Sequence, residues 1–306
     1  MAQEIEFPVD GGRLKGLFYE PATGQAPYPT VVMANGFRAP KEMGCTTWAQ
    51  RFAEAGLAVL VFDNRSSVYH DTFAAYDVDP VTETRDFRWA IDYALALDAV
   101  DPDRLGIWGT SMTGGYVLQI AAVDRRVRCV VSQVPMLSGW MNISRFGDAD
   151  GYRDMVEAER QRLVRGEDPT AIRMTSPDRS VPSAFPSMSA NRYFHDQRDQ
   201  QSPRLDWWEN KVSIRSIDWY MEHDVNVWLP RISPTPLLMI VADHDDGCPT
   251  AESLKAYEQA LEPKRLVLIR GDHYTPYVED VATANGAARD FLVEHLMASA
   301  VATGDQ

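Results

Sequence analysis

The sequence predicts an α/β fold: a mostly parallel central sheet flanked by helices, carrying one inserted helical segment. Three observations predict it. Apolar runs of strand length recur at residues 30–34, 57–62, 104–108, 127–134, 236–241 and 265–269, with helix-compatible segments between them. Two earlier runs, residues 4–9 and 14–19, alternate apolar with polar around Asp10, Gly11 and Gly12. From about residue 138 to 230 the strand rhythm stops.

Taken in order, the first two runs read as an antiparallel hairpin on the sheet edge, because period-two alternation marks a half-buried strand and Asp-Gly marks a tight turn. The six later runs are near-continuously apolar, as strands covered on both faces must be. One crossover helix is well marked: Asp79 is placed to cap it, Pro80 suits its first position, and Phe87, Ile91, Ala94 and Leu95 follow at helical spacing. The stretch 138–230 holds five of the eight tryptophans, Trp140, Trp207, Trp208, Trp219 and Trp228. A helical lid over the strand ends is the economical reading, and Trp140, Trp207, Trp208 and Trp219 are its candidate substrate-binding rings. With neither repeat nor linker, the chain reads as a single domain, 1–306, with a lid insertion at about 138–230.

Composition narrows the function. A content of 45% hydrophobic and 24% charged residues supports a sizeable core and argues against wholesale disorder. The formal charge of −14 opposes binding to nucleic acid or anionic lipid, which select clustered Lys and Arg. The first thirty residues show neither a signal peptide nor a membrane span, so a cytoplasmic protein is expected. Cys45, Cys129 and Cys248 are widely spaced without a C-x-x-C pair, which disfavours a disulfide framework or a zinc ribbon. Cys129 reads as core filler and Cys248 as a loop residue. No cofactor is implied, since there is neither a dinucleotide fingerprint nor a P-loop.

The chemistry-bearing segment is Gly109-Thr110-Ser111-Met112-Thr113-Gly114-Gly115, which follows a strand and opens a helix. This is the context of a nucleophile elbow, in which a sharp turn exposes a serine and the helix dipole faces its oxygen. Gly109 and Gly114 suit the close approaches that such a turn demands. A serine capping a helix in a Gly-rich turn is the plainer reading, but the order of partners downstream counts against it. Residues 236–241 deliver the acidic loop Asp243-His244-Asp245-Asp246, and residues 265–269 deliver Gly271-Asp272-His273. Serine, acid and histidine in that order suit a triad, with His273 as general base. Asp243, Asp245 and Asp246 all offer the carboxylate. An oxyanion hole would use the backbone N–H of Met112 and one from the loop Asn35-Gly36-Phe37, where Phe37 is the better donor and Asn35 a turn residue that orients the loop.

Two other constellations carry less weight. Asp243, His244, Asp245, Asp246, Asp272 and His273 contain ligand types for a hydrolytic metal, but no H-E-x-x-H pair, so no metal is expected. Asp63 and Arg65, at another strand end, read as braces between loops more readily than as a substrate anchor. His70, His195, His223 and His295 are isolated.

These motifs resemble the α/β-hydrolase superfamily, in particular the dienelactone-hydrolase-like group that includes fungal polyketide transferases. The resemblance runs over nearly the whole chain. It rests on Met33-Ala-Asn-Gly-Phe37 with Lys41-Glu-Met43, Val61-Phe-Asp-Asn-Arg65, Trp108-Gly-Thr-Ser-Met-Thr-Gly114, Val130-Val-Ser-Gln-Val-Pro135, Pro234 to Val241, and Gly271-Asp-His273. By that resemblance, spacing from Pro249 selects Asp245 as the triad acid. Two departures, Asn35 where the group usually has His and Ser-Ser-Val-Tyr-His-Asp after Arg65, mark a reshaped pocket.

The implied activity is a serine-dependent hydrolase that cleaves an ester or thioester of a small or medium apolar acyl group through an acyl-enzyme on Ser111. The resemblance also implies an alternative, an acyltransferase that passes an acyl chain from a carrier-protein thioester to an alcohol. Cleavage of a carbon–carbon bond uses the same triad, and a binding protein on this scaffold would need none of it.

Overall fold

The computed structural model describes residues 2–68, 73, 76–145 and 149–297. Strands β1 (Ala2–Val9) and β2 (Gly12–Tyr19) form an antiparallel hairpin with Val9 opposite Gly12. Then follow β3 (Tyr28–Ala34), α1 (Cys45–Glu54), β4 (Ala58–Phe62), α2 (Pro80–Leu95), β5 (Val100–Thr110), α3 (Met112–Val123) and β6 (Val127–Gln133). The inserted segment holds α4 (Gly139–Ser144), α5 (Ala149–Val164), β7 (Ala171–Thr175), β8 (Ser183–Phe185), α6 (Met188–Gln200), β9 (Lys211–Ser213), α7 (Ile214–Glu222) and a short 3-10 turn, Asn226–Arg231. The chain ends with β10 (Leu237–Ala242), α8 (Thr250–Gln259), β11 (Lys264–Ile269), α9 (Thr275–Val278) and α10 (Val281–Met297).

The main sheet runs β1-β2-β4-β3-β5-β6-β10-β11, parallel from β4 onward, with β2 antiparallel to β4. Alternation along β3 divides the core into two layers. Val32 and Ala34 face the layer that holds Phe87 and Ile91 of α2 and Leu118 of α3, whereas Val31 and Met33 face Trp48 of α1 and Phe291 of α10. Strands β4 and β10 are buried along their entire length, the consequence of cover on both faces. At the start of α2, Asp79 Oδ1 accepts hydrogen bonds from the Val81 and Thr82 N–H groups, and Pro80 takes the first turn.

Among the described residues, the inserted segment carries four α-helices, and a further element stands beside them. It contains a second sheet, β8-β7-β9, whose strands of three to five residues are too short to print a period on the sequence. It is tied to loops at the carboxyl ends of the main strands: Trp208 Nε1 donates to Arg38 O (3.2 Å), Tyr193 Oη to Met43 O (3.1 Å), and Arg145 to Gly247 O (2.7 Å). Among the described residues, no helix is long and apolar enough to cross a membrane.

Candidate active site

Strand β5 ends at Thr110 and α3 begins at Met112, so the whole reversal of direction falls on Ser111, at φ +54° and ψ −118°. A non-glycine residue pays on the order of 1–3 kcal/mol for such a conformation, so its surroundings must over-determine it. They do: the Ser111 N–H donates to Gln133 O, and the Met136 N–H donates to Ser111 O, both at 2.9 Å. These bonds fix the serine between β6 and α3 with its hydroxyl at the carboxyl edge of the sheet, where open α/β sheets form their crevices.

His273 lies between β11 and α9. Its loop is set by Asp272, whose Oδ1 accepts from the N–H groups of Tyr274 (2.9 Å) and Thr275 (3.1 Å). The imidazole joins two groups: Nε2 is 3.1 Å from Ser111 Oγ, and Nδ1 is 2.9 Å from each carboxylate oxygen of Asp245. A carboxylate only accepts, so Nδ1 carries the proton and Nε2 is free to accept from the serine hydroxyl. Burial of the ring opposes its protonation, but the Asp245 charge, the Cys248 thiol and the hydrogen bonds to both together outweigh burial and hold the His273 pKa well above the ordinary imidazole value.

Of the three carboxylates in the loop after β10, Asp245 is the one bonded to His273. Its Oδ1 also accepts from the N–H groups of Gly247 (2.7 Å) and Cys248 (2.5 Å), which lock its orientation. Asp243 instead accepts from the Gly271 N–H (2.8 Å) and pairs with His244. Asp246 turns toward Ser187 and Ser189.

The loop after β3 approaches Ser111 closely enough that a β-carbon on Gly36 would stand 2.8 Å from Ser111 Cβ. Asn35 builds this loop: Nδ2 donates to Pro40 O and Met43 O, and Oδ1 accepts from the Gly36 N–H. Phe37 and Met112 flank the serine in one cleft of about 630 Å³, its open mouth included. As the first residue of α3, Met112 has an N–H with no acceptor inside the helix, which suits it to a developing oxyanion.

The profile of the X-Pro dipeptidyl-peptidase (S15 family) matches residues 10–275. The chain belongs to this family. With it, the protein is a serine hydrolase of α/β-hydrolase fold. The thiohydrolase aneE of Aspergillus aculeatus is 27% identical over 271 residues, spanning 86% of this chain and 83% of its own. The polyketide transferase grgF of a Penicillium species is 26% identical over 303 residues, 96% of each chain. A crystal structure of the α/β-hydrolase GrgF from Penicillium matches with a TM-score of 0.83 at 24% identity, over 97% of this chain and 99% of that one. The resemblance to fungal polyketide transferases read from the motifs is borne out.

In this S15-family member the cleft is lined differently from the sequence expectation. None of the four tryptophans proposed as substrate-binding rings is among its lining residues. On α4 the buried positions are Gly139, Asn142 and Ile143, so Trp140 points outward beneath the Arg153 guanidinium. Trp207 is 41% exposed and donates Nε1 to Arg204 O. Trp208 is buried behind the wall, stacked on Phe194 with ring centroids 5.6 Å apart. On α7 the inward residues are Ile217 and Tyr220, and Trp219 packs under Arg215 away from the nucleophile. The aromatic wall is instead Phe185, Tyr193, Phe194, Tyr220, Tyr274 and Tyr277. Only the proximity of Tyr274 and Tyr277 to His273 in sequence pointed to any of them.

The remaining candidates fall into place as supports. Arg65 makes two 2.6 Å bonds to Asp86 and reaches Asp10 O, and Asp63 accepts from Lys41 N and Nζ, so both brace loops. Cys129 is core, whereas Cys248 is buried in the cleft wall. His223 packs edge-on against Tyr116, and burial lowers its pKa to about 4. His195 meets the edge of Trp208, His295 packs on Phe291, and His70 lies outside the described residues.

Proposed function

We propose that this protein cleaves an ester or thioester of a small to medium, largely apolar acyl group through an acyl-enzyme on Ser111. The observation that carries the reading is the unbroken hydrogen-bonded chain from Ser111 Oγ through His273 to Asp245, opening into a cleft walled by aromatic rings. His273 Nε2 takes the hydroxyl proton as Ser111 Oγ attacks the carbonyl carbon. The oxyanion that forms accepts from the N–H groups of Met112 and Phe37. Collapse expels the thiol or alcohol, which leaves with the proton held by His273. Water, deprotonated in turn by His273, then releases the acid and restores the serine.

Asp245 keeps the imidazole in the required tautomer and stabilises the imidazolium. In this reading, residues 1–306 are one hydrolase domain, and the insertion at about 138–230 is the lid that completes the acyl pocket. The donor is an acyl thioester presented on a carrier protein, in keeping with relatives named thiohydrolase and polyketide transferase. We place the reaction in the cytoplasm, which three free, buried cysteines support.

A second reading, transfer of the acyl group to an alcohol, uses the same residues. It is favoured by the relative named polyketide transferase and by the burial of His273, 3% exposed, which limits access of bulk water to the base. Intact-mass spectrometry with a panel of acyl thioesters, half of the samples containing a small alcohol, separates the two. An adduct that decays to free acid regardless of alcohol means hydrolysis, and decay to the new ester means transfer. Absence of an adduct on wild type, or an equal adduct on Ser111→Ala, overturns both.

A further inference from the structure

The cleft has a mouth and a deep end. Phe185, Ser187 and Asp246 line it and are partly exposed, whereas Met136, Asn142 and Cys248 line it and are at most 4% exposed. A leaving group that departs into solvent, above all one carried on another protein, takes the mouth. The acyl chain then runs from Ser111 toward the deep end.

Behind that end is a second space of about 280 Å³, its open side included, between residues 135–138, α4 and α8. Its wall includes the apolar Pro135, Leu137, Met141 and Pro249. Met136, Asn142 and Cys248 line both spaces, so their side chains are the partition. The frame of this partition is fixed. Asn142 is held by Tyr220 Oη at 2.6 Å, and Cys248 by its N–H on Asp245 Oδ1. The Met136 N–H donates to Ser111 O at 2.9 Å, and its carbonyl packs so closely on α3 that a β-carbon on Gly115 would stand 2.2 Å from it. With the backbone held in this way, truncating a side chain of the partition leaves space rather than collapse.

We propose that Met136 and Cys248 set the longest acyl chain that the cleft accepts, and that the space behind them is an extension of the acyl pocket which they close off. A chain shorter than the cleft is deep buries each added methylene. One that reaches Met136 and Cys248 must turn back toward the mouth, where further methylenes stay in water and gain nothing. This limit on chain length rests on the cleft being the acyl site proposed above.

Calorimetric binding of N-acetylcysteamine thioesters, from butanoate to dodecanoate, to Ser111→Ala tests it without turnover. Affinity should rise about fourfold with each methylene and level off at the chain that meets the partition. Adding Met136→Ala should carry the rise beyond that length, with a gain on the order of tenfold over the next two methylenes. Cys248→Ala opens the same partition and serves should Met136→Ala not fold. Ser253, buried on α8, lines the second space, so Ser253→Phe should fill that space and restore the original limit in the Met136→Ala background. The proposal is overturned by an affinity that ignores chain length or climbs through the whole series before any truncation, by a limit that the folded truncation variants leave in place, or by a gain that survives Ser253→Phe. Formation of a Ser111 adduct by wild type with hexanoyl thioester is read separately. A limit that moves without an adduct sinks the acyl-enzyme reading alone, and an adduct with an unmoved limit sinks this one alone.

Discussion

Gly247 lies so close against His273 that a β-carbon placed on it would stand 2.5 Å from Cγ of the imidazole. The same residue donates its N–H to Asp245, so one glycine both seats the Asp245 carboxylate and leaves room for the His273 ring. Gly247→Ala must therefore displace the His273 ring from Ser111. The expected result is a loss of kcat on the order of 100-fold with a Tm close to that of wild type, since a displacement of about 1 Å at a reacting group costs that much. Steady-state kinetics beside a thermal melt would check it, and near-normal kcat would mean that the ring is not held in the position described.

Removal of either end of the proton path should be more damaging. Ser111→Ala and His273→Ala are each expected to lower turnover by several orders of magnitude, and a double variant should be little worse than either single one, because the members act as a unit. Asp245→Asn should cost about 10⁴-fold by presenting the wrong tautomer. Asp243→Asn should cost far less, because Asp243 bonds the Gly271 N–H and His244 rather than His273. Parallel kcat measurements on the Asn variants discriminate; a larger loss at Asp243 would move the acid there.

Physical reasons separate what the sequence disclosed from what it hid. Core strands buried on both faces must be continuously apolar, and each of the six predicted runs overlaps an observed strand, from β3 and β4 to β11, displaced by a few residues at the ends. The elbow was legible because a strand, one turn residue and a helix are local in sequence. The choice among Asp243, Asp245 and Asp246 was legible only through the family resemblance, since three neighbouring carboxylates have identical chemistry and only the direction of each side chain distinguishes them. The aromatic wall was hidden for a related reason: Tyr193, Tyr220 and Phe185 converge from α6, α7 and β8, and no spacing within one segment encodes that meeting.

Trp208 is the tryptophan whose loss should matter, and through stability. Its ring is buried on Phe194, and its Nε1 ties the inserted segment to Arg38, the residue after Phe37. Trp208→Ala should cost about 3–5 kcal/mol, the usual range for a buried Trp. Trp140→Ala and Trp207→Ala remove exposed rings, so their effects on kcat/KM and Tm should be small. Denaturation curves and kinetics of the three variants decide this, and a large rise in KM at Trp140 or Trp207 would restore those rings to the pocket.

Behind α3, Glu83 is fully buried, with its carboxyl accepting from Tyr116 Oη (2.9 Å) and the Ser66 N–H (3.3 Å). Burial raises its pKa from 4.5 to about 7. The folded state thus binds this proton more tightly than the unfolded state, and stability falls as pH rises from the ordinary carboxyl range to about 7. Glu83→Gln keeps an acceptor for Ser66 and carries no charge to bury. Its stability relative to wild type should grow with pH, by an amount on the order of 3 kcal/mol at neutrality. Melts at pH values on either side of the transition would show this, and a difference independent of pH would place the Glu83 titration elsewhere.

The pH profile of the reaction tests the electrostatics of the triad itself. His273 must be neutral to accept the Ser111 proton, so kcat/KM is lost as pH falls through the imidazole pKa. Against the opposing effect of burial, the Asp245 carboxylate and, after it, Cys248 hold that pKa above 6.5, so the acid limb of the wild-type profile should lie above 6.5. Asp245→Asn removes the charge but leaves the ring buried. The imidazolium then loses its stabilising partner, and the limb should move to lower pH while the plateau falls. Structural damage alone would lower the plateau without moving the limb, so an unmoved limb in Asp245→Asn would show that another group sets the protonation of the base.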